Sequence, residues 1–171
     1  MRRIVIALVF IVSVNITGTA QTQTFTREGI DYVLDLPSIS WRPVSRLDVH
    51  EHMEFVNGDD YSDGYLRLRK RLVAAGTTAD ELFRHDEKWE LQRLPGFVVC
   101  RNGNGSDLKG HLRARAFSYE FVSGGANMEG RIYYIQVDNR TYYILHFTVA
   151  SKKFQGLAAQ MDSIARSFRM K

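Results

Sequence analysis

Three residues are spaced so that they could share one ion. His50, His52 and Glu54 stand at i, i+2 and i+4 within Asp48–Val56 (DVHEHMEFV). On a strand, that spacing puts all three side chains on one face. Two imidazoles and a carboxylate are metal-ligand types, so a metal-dependent hydrolase is the chemistry they would support. A plainer explanation competes. If Asp48–Val56 and Tyr65–Val73 (YLRLRKRLV) form a hairpin centred near Asp60, Glu54 falls opposite Arg67 and His52 opposite Arg69. Opposite charges facing each other across two strands explain the pattern without a metal. Two histidines on an open strand also lack the closed tetrahedron and outer support that hold an ion.

The second constellation is cationic. Arg67, Arg69 and Arg71 share one strand face, and Arg113 and Arg115, preceded by His111, repeat the spacing. Adjacent rows would make an anion-attracting surface. A solvated face neutralised by Glu51, Glu54 and Glu120 is the alternative. Cys100 is the one cysteine, which rules out an intrachain disulfide. It follows Phe97-Val98-Val99 and reads as a buried small hydrophobe; a thiol nucleophile is the alternative. Ser106 lies in no nucleophile-elbow pattern, and the glycines form no phosphate-binding fingerprint. Asp59, Asp60 and Asp63 precede Gly64, but the twelfth position counted from Asp59 is Lys70, where a calcium loop needs an acid. No cofactor is implied by these motifs.

The elements that must position these residues are mostly strands. Ile30–Leu36 alternates and stops at Pro37. Asp48–Val56, Tyr65–Val73 and Phe97–Cys100 follow, with Trp41 as a packing anchor among turn residues. Between Tyr65–Val73 and Phe97–Cys100, Thr78 and Glu81 form a capping box. It predicts a helix from Ala79 to about Gln92, packed through Leu82, Phe83 and Trp89. Leu112–Val122, Gly130–Val137 and Thr141–Val149 are joined by short glycine- and asparagine-containing breaks, which makes an antiparallel meander. Of the tyrosine pairs Tyr133-Tyr134 and Tyr142-Tyr143, one of each should face the core and one away. Phe154, Leu157, Ala158, Met161, Ile164, Ala165 and Phe168 then mark one apolar stripe of a closing helix, capped by Ser151. The fold class is α+β, an antiparallel sheet of about six to seven strands flanked by helices.

Residues 1–20 read as a secretory signal peptide: Arg2-Arg3, an apolar run from Ile4 to Ile16, then Gly18-Thr19-Ala20. The run is too short to span a membrane, and no cysteine follows it for lipidation. Residues 21–171 remain as one domain, with no transmembrane span, and periplasmic or secreted. Without Arg2 and Arg3 the balance is 21 Lys+Arg against 19 Asp+Glu, a net charge of +2. That calls for no nucleic acid.

Several of these features occur together in one known group. Tyr32–Pro37 is followed by Trp41, an arginine-rich strand and a Thr-capped helix. A meander with Arg140-Thr141-Tyr142-Tyr143 at its hairpin comes next, then a helix that runs from Phe154 to Ser167-Phe168-Arg169. Over residues 28–169 this resembles the PsbP-like superfamily, which includes PsbP, the yeast Ran-binding nucleotide-release factor and bacterial DcrB-type envelope proteins. The resemblance implies an α-β-α sandwich and a non-enzymatic binding role. It carries no site residue across, and fold analogy alone does not fix function. The expectation is an exported binding or stabilising module of the cell envelope, taking an unknown protein or a small anionic ligand. Its weak site candidates are Arg67, Arg69, Arg71, Arg113 and Arg115. The alternative is a metal or thiol hydrolase using His50, His52 and Glu54, or Cys100.

Overall fold

A computed structural model of the chain describes residues 22–44, 52–59, 61–100, 106–108 and 113–171. The segment 1–20, read as a signal peptide, lies outside them, as do His50 and His111. The strands are Gln23–Phe25 (β1), Tyr32–Leu36 (β2), Trp41–Val44 (β3), His52–Asn57 (β4), Tyr65–Leu72 (β5), Val98–Val99 (β6), Ser106–Asp107 (β7), Arg113–Ser123 (β8), Ala126–Gln136 (β9), Thr141–Ala150 (β10) and Arg169–Met170 (β11). The helices are Ala79–Trp89 (α1) and Ser151–Ser167 (α2).

The main sheet runs β3-β4-β5-β10-β9-β8-β6, with β7 also paired to β8, and its ladders are antiparallel. β8, β9 and β10 form the expected meander, with Gly124 and Gly125 at φ +57° and +78° in the first turn. Strand β9 begins four residues earlier than the sequence predicts. Ala126–Glu129 lacks strand formers, but the tight turn carries the ladder back at once. The β4–β5 hairpin has the register read from a centre near Asp60, with Glu54 opposite Arg67 and His52 opposite Arg69. Trp41 is fully buried, as a packing anchor should be, but it opens edge strand β3 rather than sitting in a turn. Its Nε1 donates to Gln160 on α2 at 3.0 Å. β2 leaves the main sheet and builds a small one, in the order β1-β2-β11.

Strand β5 pairs with β10, while the next strand, β6, lies at the far edge beyond β8. The connection must therefore cross the sheet, and α1 is carried over one face. Helix α2 covers the other, packing on β2, β9 and β10. Both faces are thus closed. This is why Tyr133, Tyr134, Tyr142 and Tyr143 are all buried, contrary to the expectation of one outward tyrosine per pair. Tyr133 and Tyr143 pack in the α2-side core and Tyr134 and Tyr142 in the α1-side core.

α1 starts with the predicted capping box: the Glu81 N–H donates to Thr78 Oγ1, and the Glu81 carboxylate accepts the Thr78 N–H. Leu82 and Phe83 are buried, Phe83 stacking on Phe117 with centroids 4.2 Å apart. Trp89 is 50% exposed, so it is not the apolar contact expected of it. Leu66 and Leu68 of β5 are buried, whereas Leu72 at its end is 75% exposed. In α2 the predicted stripe buries Phe154, Met161, Ile164 and Ala165. Ser151 is the first helical residue; Ala150 is the N-cap and makes no side-chain cap.

Candidate functional site

The meander aligns side chains across four strands on the α1 face. Arg71, Tyr142, Gln136 and Arg113 are successive partners across β5, β10, β9 and β8. Arg69, Ile144, Tyr134 and Arg115 form the next row, and Arg67, His146, Ile132 and Phe117 the one after. The two arginine sets share a face but do not adjoin. Three inter-strand steps separate them, roughly 14 Å. The condition of adjacent rows is therefore not met, because β10 and β9 lie between β5 and β8.

α1 occupies that gap, and its acids take up the arginines. Asp86, 1% exposed, accepts from Arg71 Nη1 at 2.5 Å, Arg69 Nη2 at 3.1 Å and Tyr134 Oη at 2.8 Å. Burial works to raise the Asp86 carboxyl. The hydrogen bonds from Arg71 and Tyr134, with the charges of Arg71 and Arg69, outweigh it and hold the carboxyl below its ordinary value. At the other end of α1, Arg115 Nη1 lies 2.6 Å from Asp80. Three of the five candidate arginines are therefore structural. Sequence reading looked for their counter-ions in Glu51, Glu54 and Glu120 and missed Asp86. Its only available signal was its position among the apolar contacts of a helix, four residues after Leu82.

Arg113 and Arg67 differ from these three, because neither has an ion pair among the described residues. Arg113 is exposed and lines a groove of about 690 Å³ beside the start of α1. One wall is the loop before α1. It is tied to the β9–β10 turn by Val73 N–H to Arg140 O at 2.8 Å and Gly76 N–H to Asn139 O at 3.2 Å. Gly76 has φ +85°, which a side chain would strain. Tyr142 Oη fixes the same loop by donating to Thr77 O at 2.8 Å. Gln136, Asn139 and Asp107 complete the polar lining. A concave space of this size with a few convergent polar groups is the general form of a ligand site.

Arg67 sits opposite His146 in register. His146 Nε2 lies 2.5 Å from Tyr119 Oη. Burial first, then the charges of Arg67 and Arg69, lowers His146 to about 3. Burial also pushes Tyr119 well above its ordinary range. Both groups are neutral, joined by one hydrogen bond between the phenol oxygen and the ring nitrogen. Tyr119 reaches His146 across Gly130, where a Cβ would lie 2.1 Å from Tyr119 Cζ. The sequence gives no sign of this pair, since it depends on two strands separated by β9.

Of the metal candidates, His50 and the side chain of His52 lie outside the described residues. Glu54 is buried on β4. Cys100 Sγ lies 3.9 Å from Glu120. Burial, then the charges of Glu120 and Glu129, raises its thiol. That is the opposite of what a nucleophilic thiolate requires. The hydrogen-bond partner of His146 is Tyr119.

No protein-family model matches the sequence, and no curated protein matches it significantly. Solved structures do match. PsbP from the cyanobacterium Synechocystis superposes with a TM-score of 0.61 at 13% identity, over 91% of this chain and 95% of that one. The Ran-binding protein Mog1p of Saccharomyces cerevisiae gives a TM-score of 0.63 at 9% identity, over 88% and 96%. LpqN of Mycobacterium tuberculosis, involved in cell envelope biogenesis, gives 0.58 at 16% identity, over 88% and 91%. Sequence identity is low in each case while nearly the whole of both chains aligns, so what is shared is the path of the backbone. The chain therefore has the α+β fold seen in PsbP, Mog1p and LpqN.

Proposed function

We propose that the chain is an exported binding module of the cell envelope, acting without catalysis and engaging its partner at the groove beside α1. The observation that carries this reading is Arg113. It is an exposed cation with no ion pair among the described residues, set in the lining of a groove whose loop wall is held by three hydrogen bonds. The arginines under α1 are neutralised by its acids, whereas Arg113 remains available to a second molecule. The fold is compatible with such a role, since Mog1p is a Ran-binding protein and LpqN is involved in cell envelope biogenesis. The composition of residues 1–20 supports export.

Two experiments test it. A photocrosslinking amino acid placed at Asn139, in the groove, should yield a discrete adduct in cells. The same probe at Lys152, exposed on α2, should not. Adducts from Lys152 with none from Asn139 would refute the groove as the binding surface. Residues 1–20 fused to a reporter that folds only outside the cytoplasm should give signal; its absence would refute export.

A further inference from the structure

We infer that the groove receives a small organic acid with one carboxylate and a hydrogen-bond donor at its other end. This rests on the reading that the groove is the recognition site. Arg113 has no counter-ion among the described residues, and its cross-strand neighbour Gln136 lines the groove with it. A guanidinium flanked by a side-chain amide presents several donors to one carboxylate, a pairing that planar geometry favours. Asn139 adds a second amide to the lining.

The rest of the lining sets the charge of the ligand. Arg115, two residues along β8, is already held by Asp80 at 2.6 Å and stands 3.8 Å from Asp107. It therefore calls for no second anion. Asp80 and Asp107 would repel one, and they would accept from a hydroxyl or ammonium group. At the helix terminus the capping box already takes up the Thr78 and Glu81 N–H groups. Among the described lining residues Arg113 has no ion pair, and the two acids stand around Arg115, two residues along β8; this favours a carboxylate with a donor over a dicarboxylate or a phosphate dianion.

The test uses three four-carbon acids that differ only at the far end: 4-aminobutanoate, butanoate and succinate, with inorganic phosphate as a fourth probe. Each is titrated into the full mature chain at 150 mM NaCl and followed by side-chain amide and guanidinium NMR signals. The expected result is saturable shifts at Gln136, Asn139 and Arg113, strongest for 4-aminobutanoate and weakest for succinate and phosphate. Arg113→Gln should weaken binding at least about tenfold, and Arg113→Lys less so. Equal affinity in Arg113→Gln, no saturable response, or preference for succinate or phosphate would each overturn the inference. A groove adduct from Asn139 without any response to these probes would refute this inference alone, leaving the binding reading in place.

Discussion

At the scale of single residues, two positions control the polar interior of the α1 face. Gly130 has no Cβ because Tyr119 lies where one would be. Gly130→Ala must push Tyr119 off His146. Overpacking of this kind costs about 1–3 kcal/mol, measurable as a shift of the urea midpoint. His146 itself gives stability a sign with pH. Its folded value, about 3, is below the ordinary 6.5, so the unfolded chain binds the proton first. Stability from the neutral ring is therefore full above pH 6.5 and falls as pH drops toward 3. Between pH 6.5 and 5, above the range of ordinary carboxylates, the slope approaches about 1.4 kcal/mol per pH unit. His146→Gln should flatten that window, and an unchanged slope would show that another group sets it. Neither residue was legible beforehand. A glycine in a strand and a histidine in an apolar run have many readings, and only pairing across β8, β9 and β10 puts them together. The charge register of Glu54 with Arg67 was legible, because a short hairpin fixes register locally.

At the scale of elements, α1 is the piece whose attachment is most exposed to a single change. Its eleven residues are too few to be stable alone, so packing must hold it. Leu82 and Phe83 bury apolar surface, and Asp86 binds both Arg69 and Arg71. Asp86→Ala would leave Arg71 without a carboxylate among the described residues and Arg69 with only the more exposed Glu90, at 3.3 Å, both facing Tyr134. Removing one member of a buried ion cluster costs about 3–5 kcal/mol. Thermal unfolding should show that loss, and a change below 1 kcal/mol would contradict the role given to Asp86. The start of α1 and the stripe of α2 could be read from the sequence because capping boxes and helical periodicity are local signals. The path of α1 could not. It follows from β5 pairing with β10, a long-range choice that no local pattern specifies. That same choice separates the two arginine rows and brings Arg69, Arg71 and Arg115 against the acids of α1.

At the scale of the whole molecule, closure of both sheet faces is the reason the proposed binding site is placed at an edge. α2 covers one face and α1 the other, so neither broad face offers bare sheet to a partner. Among the described residues, a groove lies where the loop before α1, the β9–β10 turn and the start of β8 meet. Of the five arginines singled out by spacing, Arg113 is the one in that groove without an internal ion pair among the described residues. Arg67 is the natural comparison, since it also has no such pair but sits beside His146 instead. The most direct measurement is therefore the yield of the Asn139 photoadduct in Arg113→Gln and in Arg67→Gln. Binding through the groove predicts that the adduct is lost in Arg113→Gln and kept in Arg67→Gln. Full yield in Arg113→Gln would contradict it.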